Sequence, residues 1–149
     1  MSTFKFTTLT NSPDSAQYES ACLGVDADNK LTENDIGKAV KLAAADNYVV
    51  ATTDDEIEGI LITIEPATYN AGFTFGTVQR RGRAYATVGT SELATAAIGE
   101  LVVVDDQAAV GTAGGLVVYP GAPTQFLWRI LRIETGTGAA GDTVLIERV

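Results

Sequence analysis

The side chains that most often carry catalysis are scarce in this chain. Its 149 residues include no histidine and a single cysteine, Cys22. Without histidine, Ser-His and Cys-His nucleophile pairs and histidine-ligated zinc are excluded, and no imidazole is present to activate the Cys22 thiol. A single cysteine also forms no internal disulfide. We therefore interpret Cys22 as a small, buried apolar residue.

Carboxylates are the remaining groups that could carry acid–base or metal chemistry. Four lie close together in DDEIE at 54–58, and Asp105 and Asp106 are adjacent. The four show no recognised ligand spacing, so we expect mutual repulsion to hold them in solvent. Neighbouring residues at a strand end point to opposite sides, which argues against Asp105 and Asp106 as an acid–base pair. We expect no enzyme, metal or cofactor, and a carboxylate-pair hydrolase is the one enzyme class left open.

Two stretches begin like ligand-binding loops, and both depart from the pattern. The run DADNK at 26–30 opens like a calcium loop, but Leu31 and Gly37 stand where glycine and glutamate are required. The run GTGAAG at 136–141 has the glycine spacing of a dinucleotide loop. That site needs a helix opening at the third glycine, whereas DTVLIERV at 142–149 has the composition of a strand. We interpret 136–141 as a hairpin turn.

Charge is distributed unevenly along the chain. The net charge is -9 and the pI is about 4.3, which argues against nucleic acid as a partner because phosphate binding needs a positive field. Residues 1–79 hold 4 Lys and 12 acids, whereas residues 80–149 hold 6 Arg and 7 acids. Three of these arginines cluster as Arg80, Arg81 and Arg83. We interpret them as a contact tip for another protein, with a solvated turn as the alternative.

The elements that would position these groups are short strands. About nine to eleven apolar runs alternate with turn-rich segments, as in a small β-barrel or β-sandwich. The clearest strand is FLWRILRIE at 126–134, which holds the only tryptophan. At period two, one face carries Phe126, Trp128 and Ile130, and the other carries Leu127, Leu131 and Ile133. The pattern predicts a central strand covered on both sides, with Arg129 and Arg132 interrupting opposite faces.

Helix is a minor component of the predicted fold. Thr32 can cap a short helical turn that Gly37 ends, and Ser91 can cap a helix of at most two turns over SELATAA at 91–97. No βαβ unit is visible. We therefore predict an all-β fold with one or two short helices, in a single β-rich domain at 16–149.

The N-terminal segment at 1–15 is predicted to be separate from that domain. Residues 1–10 alternate weakly between polar and apolar, and the turn-rich run NSPDS at 11–15 follows them. The segment is either an ordinary first strand or frayed end, or an extended arm that adds a strand to a partner's sheet. It lacks the apolar core of a signal peptide. No apolar run reaches the roughly 18–20 residues that span a bilayer, so we expect no membrane association.

Several short segments, taken in order, resemble a known family. They are DIGKAVKL at 35–42, EGIL at 58–61, AIGELV at 97–102 followed by Asp105, WRIL at 128–131 and GDTVLI at 141–146. The series spans roughly residues 30–149 and resembles the small capsid decoration, or cement, proteins of tailed bacteriophages. The resemblance implies a β-rich, β-tulip-like fold on the outer surface of the expanded head. It also implies trimers that stabilise the head against the pressure of packaged DNA.

The resemblance carries expectations about partners and contacts. It implies a structural virion protein, made in the host cytoplasm, whose partners are the major capsid protein and copies of itself in a homotrimer. Many such proteins attach partly through an N-terminal arm. The expected arm contacts in this chain are Phe4, Lys5, Phe6 and Leu9.

A tail or baseplate β-module that binds other virion proteins or host glycans is the alternative function. Glycan binding would need an exposed aromatic platform, and the candidates for it are Tyr69, Phe73 and Phe75. These residues are few and have the setting of strand residues, which favours the capsid protein.

Overall fold

The computed structural model describes residues 18–22, 31–43, 47–65, 75–91, 95–107 and 114–149. These residues form ten strands and one 3-10 helix at Glu33–Asp35. The strands are β1 (Tyr18–Cys22), β2 (Ala39–Leu42), β3 (Tyr48–Val50), β4 (Gly59–Ile64), β5 (Phe75–Gln79), β6 (Arg83–Val88), β7 (Val102–Val104), β8 (Val117–Pro120), β9 (Trp128–Ile133) and β10 (Thr143–Arg148). The prediction of an all-β fold is confirmed.

The strands form two five-stranded sheets. Sheet A has the order β1-β5-β4-β2-β3, and all its neighbouring strands are antiparallel. Sheet B has the order β7-β8-β6-β10-β9 and is antiparallel except for the parallel pair β6 and β8. The chain passes from sheet A to sheet B between β5 and β6, so the arginine cluster lies at the crossing from one sheet to the other.

Within the described residues, the sheets do not close into a barrel. The two ends of sheet B meet at an isolated bridge between Leu101 and Arg129 and not through a continuous pair of strands. Beside it, the Ile130 N–H donates to the Glu100 carbonyl at 2.9 Å, and the Gly99 N–H donates to the Ile130 carbonyl at 2.7 Å. Strand β9 therefore lies at the end of sheet B, where segment 99–101 covers its outer edge, and is not the predicted central strand.

Two apolar clusters hold the sheets. The larger cluster lies on the inner face of sheet B and includes Ala39, Ile57 and Ile60 from the side of sheet A. Trp128 is fully buried there, as predicted, and its indole N–H donates to the Ile57 carbonyl at 3.0 Å. The smaller cluster includes residues of the opposite face of β2 and β4, because neighbouring strand residues point to opposite sides.

A bulge in β9 corrects the predicted placement of its arginines. Ile130 and Arg132 lie opposite adjacent residues of β10, so Leu131 between them is an extra residue. Ile133 consequently returns to the core side and packs against the larger cluster. Arg129 and Arg132 have side chains 48% and 59% exposed and share the outer face. The prediction that they interrupt opposite faces is wrong, because strict alternation does not hold across a bulge.

Of the two predicted helices, the first is confirmed as a short 3-10 turn. The Asn34 N–H donates to the Thr32 hydroxyl at 3.3 Å, and the Thr32 N–H donates to the Asp35 carboxylate at 2.8 Å. Gly37, which follows, has φ +93°, a left-handed conformation that glycine adopts readily. Of the second predicted helix, the parts that the structure describes, Ser91 and 95–97, are not helical.

Several predicted features lie outside the described residues. They include the N-terminal arm with its candidate contacts Phe4, Lys5, Phe6 and Leu9, and the aromatic residues Tyr69 and Phe73. For Cys22 and Phe75, only the backbone of the strand is described. No helix among the described residues is long and apolar enough to cross a membrane.

Candidate functional site

The outer face of sheet B gathers most of the charged side chains of β6, β9 and β10. Strand β6 shows the pattern, because its apolar residues point inward and its polar residues point outward. Two rows run across the three strands in register. We call the six residues of these rows the arginine face: Arg83, Glu147 and Arg129 in the first row, and Tyr85, Leu145 and Arg132 in the second.

The first row is an ion-pair network centred on Glu147. Arg129 donates to one Glu147 carboxylate oxygen from Nη2 at 2.6 Å and from Nε at 3.0 Å. Arg83 Nε lies 3.5 Å from the other oxygen. The hydrogen bond from Arg129 and the two positive charges lower the pKa of Glu147. Two guanidinium groups on one carboxylate leave the row positively charged.

The second row places an exposed tyrosine beside an arginine. Tyr85 is 62% exposed, whereas Leu145 between Tyr85 and Arg132 is only 7% exposed. The flanking side chains thus cover Leu145, as the aliphatic stem of an arginine often does for an apolar neighbour. Arg132 pairs with Glu134, and its hydrogen bond to that carboxylate and the contact with Tyr85 raise the pKa of Arg132.

The predicted contact tip adjoins the arginine face. Arg80, Arg81 and Gly82 connect β5 to β6, and Arg83 is the first residue of β6. The buried Gln79 side chain donates to the carbonyls of Arg81 at 2.8 Å and Arg83 at 2.9 Å. Gly82 has φ +88°, which favours glycine at the centre of the turn. The structure therefore confirms the predicted turn, and the Gln79 side chain binds the turn's backbone to the end of β5.

Arg148 joins the tip from the end of β10. Its N–H donates to the Gly82 carbonyl at 3.0 Å, and its guanidinium lies 5.0 Å from the centre of the Phe126 ring. Burial lowers the pKa of Arg148, and the nearby charges of Arg80 and Arg81 lower it further. All six arginines of the chain therefore lie on the arginine face, at its tip or beside that tip.

The chemistry that this surface can perform is binding. A guanidinium group presents planar N–H donors that match a carboxylate, and arginine and tyrosine are enriched where proteins meet. The carboxylates of Glu147, within the face, and Glu134, beside it, each pair with an arginine. Within the described part of the chain, no three His, Cys, Asp or Glu side chains are grouped as a metal site would require.

The acidic segment 54–58 is more ordered than the sequence predicts. Of its four carboxylates, Asp54 is exposed, whereas Asp55, Glu56 and Glu58 are partly buried. Asp55 pairs with Lys41 at 2.6 Å, and the Leu42 N–H donates to Glu58 at 3.2 Å. The expectation that repulsion holds this segment in solvent is therefore wrong for these two carboxylates, because each has a local electrostatic partner.

Glu56 binds the segment before β9. Its carboxylate accepts hydrogen bonds from the N–H groups of Thr124 at 2.5 Å, Gln125 at 2.9 Å and Phe126 at 2.7 Å, and from the Thr124 hydroxyl at 2.9 Å. Burial raises the pKa of Glu56, but these donors outweigh it and lower the pKa from 4.5 to about 2. A cleft of about 260 Å³ lies beside this contact. No sequence signal predicts the contact, because its partners lie 68–70 residues away.

The glycine-rich run is a hairpin turn, as predicted. It connects the antiparallel strands β9 and β10. The N–H groups of Thr137, Gly138 and Ala139 all donate to one oxygen of Asp142, at 2.9 to 3.0 Å. The donors that would bind a phosphate in a nucleotide loop thus bind the chain's own carboxylate.

The adjacent carboxylates at 105 and 106 also behave as predicted. Asp105 is 2% exposed, whereas Asp106 is exposed. Burial raises the pKa of Asp105, but hydrogen bonds from the Ser91 hydroxyl and the Ser91 N–H lower it overall. The two groups therefore occupy different environments and form no acid–base pair.

A comparison with known protein families identifies the family of this chain. The family model described as "Structural cement protein (E217 gp24/Pam3 gp6)" matches residues 9–148. The chain belongs to this family of phage structural cement proteins. Searches of curated proteins and of solved structures found no match.

Membership confirms several expectations for this cement protein. It is a non-enzymatic structural protein of the virion, located at the capsid surface, and its partners are capsid proteins. The family match begins at Leu9, further toward the N-terminus than the segments that suggested the family. Of the four candidate arm contacts, only Leu9 lies within the match.

Segment 35–42, one of the segments that resemble the family, makes buried structural contacts in the cement protein. Lys38 Nζ and the Asp35 carboxylate form an ion pair at 2.8 Å in which both side chains are fully buried. Ala39 in β2 donates its N–H to Gln107 at 2.7 Å, and the Gln107 amide donates to the Ala51 carbonyl at 2.8 Å. The segment therefore connects β2 of sheet A to Gln107 and, through Gln107, to Ala51.

Proposed function

We propose that this cement protein binds the outer surface of the expanded phage capsid as a trimer and stabilises the shell. The observation that carries this proposal is the family match over residues 9–148. The β framework also supports the proposal, because strands β6, β9 and β10 present charged side chains together on one exposed face.

The N-terminal arm is proposed as one means of attachment. Burial of Phe4, Phe6 and Leu9 against the shell would contribute about 1.5–3 kcal/mol each. Ordering about eight arm residues costs roughly 1–2 kcal/mol apiece, and each hydrogen bond returns about 0.5–1.5 kcal/mol. The favourable and unfavourable free energies of binding a single arm are thus nearly equal.

Trimerisation would convert three weak arms into firm attachment. Once one arm of a trimer is bound, the other two act at a high effective concentration near the shell. Trimer formation and capsid binding should therefore be linked. A monomeric variant that decorates capsids as tightly as the wild-type protein would contradict the trimer.

Co-sedimentation with empty capsids tests the proposal. The capsids come from the phage that encodes the protein, before and after expansion, and the protein is compared with and without residues 1–12. We expect saturable binding to expanded capsids only, weakened by the truncation. Binding that is independent of expansion would contradict the specificity for expanded capsids, and unchanged binding by the truncated protein would exclude the arm. No binding to either form would overturn the proposed function.

A further inference from the structure

We propose that the arginine face is the surface that docks on the capsid, and that its partner there is a carboxylate-rich protein surface. This inference rests on the proposed function and adds to it the side of the molecule that meets the shell. It also assigns contact residues, Tyr85, Arg129 and Arg132, that the N-terminal arm and the tip do not include.

The exposure of the face shows that it is available for contact. The side chains of Arg83, Arg129 and Arg132 are 64%, 48% and 59% exposed, and Tyr85 is 62% exposed. The opposite sides of the same strands pack in the larger core cluster. An exposed tyrosine among arginines, on strands fixed from behind, has the composition of a protein–protein hot spot.

The arginines of the face pair with carboxylates of the same chain before any partner arrives. Glu147 lies between Arg83 and Arg129, and Glu134 holds Arg132. A guanidinium group carries five N–H donors, and these two carboxylates occupy only part of the donors. The remaining donors can bind carboxylates of a partner.

The distribution of charge favours a protein partner over nucleic acid. Apart from its six arginines, the chain has four lysines and nineteen acidic residues. A long phosphate backbone that extended beyond the arginine face would be repelled by the rest of the surface. A carboxylate-rich patch on another protein can match the face alone. The strong charge asymmetry would also orient the molecule as it approaches the shell.

A pair of matched double variants tests the inference. Arg83→Gln/Arg132→Gln removes two positive charges from the face, whereas Thr53→Glu/Ala95→Glu makes the same change in net charge at exposed positions outside it. Tyr85→Ala changes the face without changing its charge. Affinity for expanded, empty capsids is measured by co-sedimentation at low and high salt, and thermal unfolding shows that each variant is folded.

We expect both face variants to weaken capsid binding by at least about tenfold. The arginine variant should also show a weaker salt dependence of binding, because it has two fewer exposed charges for salt to screen. At high salt the control double variant should bind within about twofold of the wild-type protein, because charges added outside the contact are then screened.

Four results would overturn the inference while the wild-type protein still binds capsids. They are unchanged affinity of the arginine variant, equal weakening by the control variant, an arginine-dependent self-association of the free protein, and arginine-dependent binding to a DNA duplex. The third would make the face an interface between copies, and the fourth a nucleic-acid site. Absence of wild-type binding is a different result, which overturns the proposed function and this inference with it.

Discussion

Buried charged residues of this protein depend on their ion-pair partners, and the Asp35–Lys38 pair is the clearest case. Both side chains are fully buried at an Nζ–Oδ1 distance of 2.8 Å. Asp35 also accepts the N–H of Thr32 and so belongs to the cap of the 3-10 turn. Removing one member of a buried pair leaves the other charged group without its partner, which is strongly destabilising.

Substitution of Lys38 should therefore destabilise the fold. We expect Lys38→Met to lower the free energy of unfolding by about 3–5 kcal/mol, measured by urea denaturation. Lys41→Met is the matched control, because Lys41 forms a partly exposed pair with Asp55, and it should cost no more than about 1 kcal/mol. Equal urea midpoints for Lys38→Met and Lys41→Met would show that burial of the Asp35–Lys38 pair adds nothing to its effect on stability.

Glu56 should make stability depend on acidity in a defined range. Its pKa is about 2 in the folded protein against 4.5 for the free group, so its contribution is fully present above about pH 4.5. That contribution is lost as the pH falls toward about 2. We expect Glu56→Gln to lower the free energy of unfolding by about 1–3 kcal/mol at neutral pH and to flatten the acid branch of the stability curve. A curve parallel to that of the wild-type protein would contradict the role of this carboxylate.

At the scale of elements, the β9–β10 hairpin depends on its turn as well as on its strands. One oxygen of Asp142 accepts three backbone N–H groups of the turn. These bonds satisfy donors that the glycine-rich conformation directs to one point. Because β9 and β10 carry most of the arginine face, the turn also fixes that face.

Removal of the Asp142 carboxylate should weaken this hairpin. We expect Asp142→Ala to lower the free energy of unfolding by about 1–3 kcal/mol, measured by chemical denaturation. Thr137→Ala, at an exposed position of the same turn, should change it by no more than about 0.5 kcal/mol. A loss that is as large for Thr137→Ala would assign the effect to the loop conformation and not to the carboxylate.

What the sequence predicts about these elements depends on how local the cause is. The cap at Thr32 and the turn at Gly37 were predictable, because their partners lie within a few residues. Alternation also predicted the burial of Trp128. The bulge at Leu131 was not predictable, because the pairing of β9 with β10 creates it. The contacts of Glu56 were not predictable either, because their partners lie 68–70 residues away along the chain.

At the scale of the whole molecule, the chain combines strong net negative charge with a single arginine-bearing side. The sequence indicated this division, since all six arginines follow residue 79. It did not show that β6, β9 and β10 bring three of them together in two rows, because that arrangement depends on the strand order of sheet B. Family membership places the protein at the capsid, where we propose that this surface docks.

Binding of this protein should strengthen the capsid. The most direct measurement is the thermal midpoint at which expanded capsids lose integrity, with and without saturating protein. We expect bound protein to raise this midpoint, since a ligand that binds only the intact shell stabilises it. Co-sedimentation shows that binding is saturated. A thermal midpoint that is then unchanged or lower would contradict stabilisation of the capsid by this protein.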